Sequence, residues 1–127
     1  MNPRFVLTAL LALAGCTRPP AETPSALPAL DEGAQMQRYA AVQYALENGQ
    51  GGQPTLWLAS ESVRGSVAPL ETVRSSTWGW CRDYEELITD GPKHYRLVGI
   101  ACRKSGRGWL VLDIRPFAEP GPANTAG

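Results

Sequence analysis

The residues of this chain that could do chemistry are few, and they include three cysteines and one histidine. The histidine, His94, stands beside a predicted turn, and the chain has no G-x-S-x-G motif whose serine it could activate. Glu85 and Glu86 are neighbours on a predicted strand, so they point to opposite faces and cannot act together on one glycosidic bond. We therefore expect both glutamates to be surface charges, no catalytic residues, and a protein that is not an enzyme.

Two of the cysteines, Cys81 and Cys102, are predicted to form a disulfide. They lie at equal distances from Gly91-Pro92, so a hairpin that turns at these residues places them directly opposite each other on adjacent strands. The bond would close a loop of about twenty residues and contribute roughly 3 kcal/mol by chain entropy. A metal site would need more ligands, and a redox pair usually has closer spacing. We expect no metal and no cofactor.

Two tryptophans and two arginines form a candidate binding surface. Trp78 and Trp80 are two residues apart, so on a strand they share one face, where they could stack against a glycan or a peptide. The alternative, which we favour, is that both rings fill the core beside the disulfide and under the helix. Arg82 and Arg103 belong to a mild basic patch, which either meets an acidic partner such as lipopolysaccharide phosphate or stays solvated. The other members of this patch are Arg96, Lys104 and Arg107.

Caps, turns and periodicity predict the elements that position these residues. Asp31 is a good N-cap for a helix that runs through Asn48, and Gly49 is placed to end it. Four apolar residues fall on one arc of this helix and predict a core-facing stripe: Met36, Tyr39, Val42 and Leu46. From Thr55 onward, segments rich in aromatic and β-branched residues are separated by turns that contain Gly or Pro. These segments predict strands at 55–60, 66–75, 78–89, 95–103 and 109–115.

One helix followed by consecutive strands predicts an α+β fold. In this fold one N-terminal helix packs on an antiparallel meander of four to five strands, stapled by one disulfide. The 127 residues leave room for one domain. Twelve Lys+Arg balance twelve Asp+Glu without any run of like charge, which argues against nucleic acid as a partner.

The third cysteine, Cys16, follows a segment with the features of a secretory signal. After Arg4, the residues 5–14 form an apolar run that is too short to span a membrane. The ending Leu13-Ala14-Gly15-Cys16 resembles the lipobox of bacterial lipoproteins, which implies cleavage before Cys16 and attachment of diacylglycerol and a further acyl chain such as palmitate. Two or three chains anchor a protein lastingly, because each buried CH₂ contributes about 0.8 kcal/mol. The alternative is a plain signal peptide whose cleavage site contains a cysteine.

The chain therefore divides into four predicted segments. Residues 1–15 are a lipoprotein signal peptide, and residues 16–30 are a lipidated cysteine with a Pro-rich tether. Residues 31–117 form the folded domain, and residues 118–127 form a disordered tail. Thr17 stands where an Asp would favour the inner membrane, so the lipoprotein resemblance implies the outer membrane and leaves open which face of it, periplasmic or surface.

Five short motifs follow one another in the folded part: Trp57; Gly65-Ser66-Val67-Ala68-Pro69; Cys81-Arg82-Asp83-Tyr84; Gly99-Ile100-Ala101-Cys102-Arg103; and Gly106 to Trp109. In their order and spacing they resemble the C-terminal domain of the 17 kDa surface-antigen family of outer-membrane lipoproteins. The resemblance implies an envelope location and antigenicity, and it brings no catalytic residues. The glycine-zipper segment typical of that family has no match here, and Leu58-Ala59-Ser60 stands where the family usually has an Asn near the first Trp. Membrane insertion by a glycine zipper is therefore not implied.

These observations predict a lipid-anchored envelope protein with a non-catalytic, surface-antigen-like structural or adaptor domain. Its partners would be a membrane, bound through the lipid on Cys16, and an envelope protein or glycan. The alternative is an inhibitor or ligand-binding lipoprotein of the periplasm or cell surface. For an inhibitor, Asp90–His94 is the best candidate for a loop that inserts into a target.

Overall fold

The computed structural model of the chain describes residue 15 and residues 27–118. It contains helix α1 and five strands: α1 Glu32–Asn48, β1 Thr55–Leu58, β2 Val63–Ser75, β3 Gly79–Asp90, β4 Lys93–Lys104 and β5 Gly108–Pro116. The strands form one antiparallel sheet in the order β1-β2-β3-β4-β5. The predicted α+β fold with a five-stranded meander is therefore confirmed. Cys16, residues 1–14, most of the tether and most of the tail lie outside the described residues.

Helix α1 begins and ends where the capping residues predicted. The Asp31 side chain accepts a hydrogen bond from the backbone N–H of Ala34 at 2.8 Å, which satisfies one of the free donors of the first turn. At the other end the N–H of Gly49 donates to the carbonyl of Ala45 at 2.7 Å. Both ends of the helix are thus fixed by local sequence.

The buried face of α1 differs from the predicted stripe. Val42 and Leu46 are buried as expected, but Met36 is 66% exposed and Tyr39 is 61% exposed. The remaining buried positions of the helix are all alanines: Ala34, Ala41 and Ala45. The large side chains come from the sheet instead, and small residues on the helix let its backbone approach them closely. The most apolar arc of the helix is therefore not the one that packs.

The sheet curves around the helix. The backbone of α1 lies nearest to β1 and β2 at one end of the strand order and to β5 at the other end. Gln43 joins the helix to β5, because its amide donates to the carbonyl of Trp109 at 2.7 Å and accepts from the N–H of the same residue at 2.9 Å. This pair of bonds occupies the outward-facing backbone groups of Trp109 on an edge strand, and so protects part of that edge from pairing with another chain.

Two glycines make room for aromatic rings of the core. A Cβ on Gly65 would come within 2.7 Å of the Trp57 ring, and a Cβ on Gly99 would come within 2.5 Å of the Tyr84 ring. Trp57 and Tyr84 are 6% and 1% exposed. Each glycine thus lets an aromatic ring of the neighbouring strand approach its backbone closely.

The hairpin between β3 and β4 has the predicted register. Asp90 pairs with Lys93, which leaves Gly91-Pro92 as a two-residue turn, and Gly91 has the positive φ of 58° that such a turn requires. From this turn, the pairing continues back along β3 and forward along β4 until Cys81 lies directly opposite Cys102, and the two cysteines form a disulfide. The predicted disulfide is confirmed.

Among the residues that the structure describes, no helix is both long and apolar enough to cross a membrane.

Candidate functional site

The two candidate tryptophans are exposed. Trp80, near the start of β3, is 50% exposed, and Trp78, in the turn before it, is 44% exposed. The interpretation that both rings fill the core under the helix is therefore wrong. The physical reason is the length of the helix. The end of α1 lies beside Arg82, and Trp80 is two residues, about 6–7 Å, further along β3, where the helix no longer covers the sheet.

Trp78 and Trp80 also do not share a strand face. Trp78 is a turn residue, and the ammonium of Lys104 lies 5.8 Å from the centre of its ring. Trp80 is paired across the strands with Arg74, whose guanidinium lies 5.3 Å from the Trp80 ring. Lys104 alternates with Arg103 and so extends from the other face of β4. The two rings are therefore approached by cations from opposite faces of the sheet.

Arg82 has a structural task at the end of the helix. Its guanidinium donates to the carbonyl of Leu46 at 2.8 Å and to the carbonyl of Gly49 at 2.9 Å. The last carbonyls of a helix lack partners within the helix and carry the negative end of its dipole, so the partly buried guanidinium of Arg82 stabilises them. Arg82 therefore fixes α1 on the sheet and is not available to a ligand.

Arg103 lies on the helix-side face beside Trp80. The β3–β4 register ends at the pair Cys81 and Cys102, and Trp80 and Arg103 are the next residues beyond this pair on the two strands. Arg103 also forms an ion pair of 3.0 Å with Glu47, and both side chains are largely exposed. The second carboxylate oxygen of Glu47 accepts a hydrogen bond from the Trp109 indole at 2.9 Å.

We call the uncovered row of Arg74, Trp80 and Arg103 the tryptophan shelf. It consists of the Trp80 ring, the Arg74 guanidinium over that ring, and Arg103 on the neighbouring strand, where Glu47 at the end of α1 pairs with it. Such a surface can bind an anionic ligand with a flat face, since guanidinium groups bind carboxylate or phosphate and the ring supplies apolar contact. The carboxylate at its border, Glu47, is already bonded to Arg103 and Trp109. The arrangement is therefore suited to binding.

A second cluster of polar residues lies under the helix. Glu86 is 1% exposed, and both of its oxygens accept from Arg38, at 2.7 Å and 3.1 Å. Glu85, on the opposite face, pairs with Arg96 at 3.1 Å and is partly exposed. The prediction of opposite faces was thus right, but the prediction that both glutamates are surface charges was wrong for Glu86. The signal that would have found it is the alternation of Glu86 with Tyr84 and Ile88 on one strand face.

The buried ion pair affects the neighbouring phenol. Burial, and after it the negative charge of Glu86, raise the pKa of Tyr84 well above its usual value, and Arg38 lowers it in part. A small cavity of about 180 Å³ adjoins these residues and is lined in part by Tyr39 and Val42. The phenol is therefore held in its neutral form across the physiological pH range.

The turn predicted as an inserting loop is short. Thr89 pairs with His94 and Asp90 with Lys93, so only two residues separate the paired strands. The His94 ring is exposed and lies 3.3 Å from the Thr89 hydroxyl. Within residues 27–118, no three His, Cys, Asp or Glu side chains gather in a way that could hold a metal ion.

Fold and site together define a small, disulfide-stapled α+β domain with an aromatic and cationic surface beyond the end of its helix. The chain is 33% identical over 72 residues to the 17 kDa surface antigens of Rickettsia conorii and Rickettsia rickettsii, a match that covers 56% of this chain and 45% of each antigen. It is 35% identical over 63 residues to the 17 kDa surface antigen of Rickettsia amblyommatis, which covers 49% of this chain and 41% of the antigen. The chain thus spans a little under half the length of these curated relatives.

No protein-family model matches the chain. No solved structure matches it. The resemblance to the 17 kDa surface antigens is nevertheless confirmed by homology over about half of the chain. The chain is a surface-antigen-like protein, and this homology indicates a location in the cell envelope or at the cell surface.

The residues that carry the resemblance contact one another. Gly65 receives the Trp57 ring, Gly99 receives the Tyr84 ring, and Cys81 is bonded to Cys102. Arg82, in the same motif as Cys81, holds the end of the helix. The motifs thus describe a scaffold in which each strand is fixed to its neighbour or to α1.

Proposed function

We propose that this chain is a lipid-anchored protein of the outer membrane whose surface-antigen-like domain is non-catalytic and has a structural or adaptor role. In this proposal the precursor is cut before Cys16, and acyl chains on that cysteine hold the domain at the bilayer. The apolar run that ends in Leu13-Ala14-Gly15-Cys16 supports the anchor. Homology to surface antigens over about half the chain supports the envelope location.

The observation that supports the structural or adaptor role is that the motif residues make contacts that hold the fold together. Trp57 and Tyr84 pack on glycines of neighbouring strands, Cys81 is bonded to Cys102, and Arg82 binds the end of α1, so each of these motif residues stabilises the scaffold. The disulfide supports an oxidising compartment such as the envelope, because thiols are kept reduced in the cytosol. A rigid scaffold with exposed surface on the sheet is what a binding or spacing domain needs.

The anchor is tested by fractionating cells that express the wild-type chain, Cys16→Ser, or Thr17→Ser as a control that keeps the cysteine. We expect the wild-type and Thr17→Ser proteins in the membrane fraction and Cys16→Ser in the soluble fraction, since the anchor would reside in the acyl chains alone. Mass spectrometry of the wild-type N-terminal peptide should show Cys16 as the first residue, carrying acyl groups. Membrane retention of Cys16→Ser, or a mature chain that begins elsewhere without lipid, would refute the anchor.

A second candidate function is that of a ligand-binding lipoprotein, and the tryptophan shelf favours it. Half of the Trp80 side chain is exposed and the Arg74 guanidinium lies over its ring, although tryptophan is on average a highly buried residue. The Asp90–His94 turn supports this alternative less well, because it protrudes by only two residues.

A further inference from the structure

We infer that the tryptophan shelf binds an acidic sugar, as one unit of an anionic glycan. The sugar ring would stack on Trp80, and its carboxylate or phosphate would be bound by Arg74 and Arg103. The inference names the ligand class for the ligand-binding candidate above, and it does not depend on lipid at Cys16.

The first support is the ring itself. Trp80 is 50% exposed on the central strand of the sheet, and the Arg74 guanidinium lies over its ring, so the sugar would stack on the ring face that Arg74 does not cover. The face of a sugar ring that carries its C–H groups is also flat and apolar, and it matches an indole in size. Tryptophan is enriched at binding surfaces because one rigid side chain offers a large contact area at little cost in conformational entropy.

The second support is the charge beside the ring. Within residues 27–118, no carboxylate forms an ion pair with Arg74, whose guanidinium is held at 5.3 Å from the Trp80 ring. Arg103 on the neighbouring strand is paired with Glu47, but this pair is exposed to water and can exchange for a ligand at little cost. Guanidinium groups bind carboxylate and phosphate with two parallel hydrogen bonds, so both arginines favour an anionic ligand.

The third support is preorganisation. Cys81 directly follows Trp80 and Cys102 directly precedes Arg103, so the disulfide joins the two strands at the position next to the shelf. Arg82, two residues from Trp80, is fixed to the end of the helix. The spacing between the ring and the base of Arg103 is therefore set before any ligand arrives, which lowers the entropy lost on binding.

An exposed ring beside cations favours an acidic sugar over a peptide of Asp and Glu, because such a peptide supplies the charges but no ring to stack on Trp80. The binding test uses the full chain with Cys16→Ser, so that it is independent of the anchor. The probes are hexamers of galacturonic acid, a phosphorylated oligosaccharide of equal length, a neutral glucose hexamer and hexaglutamate, each titrated by calorimetry.

We expect both acidic sugars to bind about tenfold or more tightly than the neutral hexamer and than hexaglutamate. The tighter of the two distinguishes a carboxylated polysaccharide from a phosphorylated sugar, such as a glycolipid headgroup. Trp80→Ala should weaken binding of the acidic sugars about tenfold, as expected for the loss of one stacked aromatic ring. Arg74→Gln and Arg103→Gln should each reduce the affinity and its dependence on salt, because each removes one cation.

Trp78→Ala is the matched control, since it removes a ring of similar exposure, 44% against 50%, that also has a cation beside it but lies off the shelf. We expect its affinity to stay within about twofold of the parent chain. Equal affinity for neutral and acidic sugars, unchanged binding by Trp80→Ala, or equal losses in Trp78→Ala and Trp80→Ala would overturn the inference. Tighter binding of hexaglutamate would overturn it in favour of an acidic protein partner. Urea unfolding of each variant establishes that the fold is retained.

Discussion

Replacing Arg38 with methionine should destabilise this domain by about 3–5 kcal/mol, because it leaves the charge of Glu86 buried without a partner. The Glu86 side chain is 1% exposed, so water cannot take the place of the guanidinium. Both carboxylate oxygens accept from Arg38, and both hydrogen bonds are lost together. Methionine keeps much of the length and apolar volume of the arginine stem, which limits the loss of packing.

Removing the other partner of the ion pair, Glu86, should destabilise the domain less. The Arg38 side chain is 14% exposed and lies on the solvent side of the pair, so in Glu86→Leu the guanidinium can turn toward water. We expect a loss of about 1–3 kcal/mol for this variant. The double variant, Arg38→Met with Glu86→Leu, should lie within about 1 kcal/mol of the wild type, because neither buried charge remains. The order of the three variants follows from the exposure of the two partners.

The assay is urea unfolding at neutral pH, followed by tryptophan fluorescence, with the four proteins forming a double-mutant cycle. Glu85→Gln is the matched control, because it removes the neighbouring glutamate from the exposed pair with Arg96, whose side chain is 45% exposed. We expect this control to change the free energy of unfolding by about 0–1 kcal/mol. A loss in Arg38→Met no larger than in the control, or a Glu86→Leu variant less stable than Arg38→Met, would refute the argument from burial.

Two further predictions concern the disulfide and the buried phenol. The variant Cys81→Ala/Cys102→Ala opens a loop with a sequence separation of 21 residues and should lose about 3 kcal/mol of stability. Calorimetry would record this loss as a melting temperature lower by roughly 10–20 °C. Two free thiols in the native, unreduced protein would contradict the disulfide itself. Burial raises the pKa of Tyr84 above the unfolded value of 10.0, so the stabilisation that it contributes is complete below that pH and is lost as the pH rises toward the folded pKa. In unfolding experiments at alkaline pH, Tyr84→Phe should reduce the loss of stability with rising pH, and Tyr44→Phe, at a position that is 60% exposed, should not. Identical profiles of stability against pH for the wild type and both variants would contradict the assignment of this loss to Tyr84.

The tryptophan shelf contains some of the residues that the sequence predicted for a binding surface. The predicted surface comprised Trp78, Trp80, Arg82 and Arg103; the structure places Trp78 in the turn before β3 and bonds Arg82 to the end of α1. Two of their contacts could not be foreseen. Whether Arg82 reaches solvent or the end of α1 depends on where the helix crosses the sheet, and whether Trp80 is covered depends on how far the helix extends over β3.

Local sequence alone determined the caps of the helix, the antiparallel meander and the opposition of Cys81 and Cys102. Each of these depends on residues close together in the chain: a capping carboxylate acts within one turn, and a two-residue turn sets the register of both strands that leave it. Homology then added the surface-antigen likeness, which no local rule contains.

Only the tertiary structure decided which face of the helix is buried and that Glu86 belongs to the core. Periodicity ranks the faces of a helix by how apolar they are. In the structure, however, the sheet curves so that β1 and β5 both contact α1. The space between helix and sheet accommodates alanines, and Met36 and Tyr39, which were expected there, are exposed. Glu86 is buried because the curved sheet carries it under the helix, where Arg38 meets it from a segment 48 residues away in sequence. Packing volume and distant charge pairing are properties of the assembled layers, and a single strand or helix does not contain them.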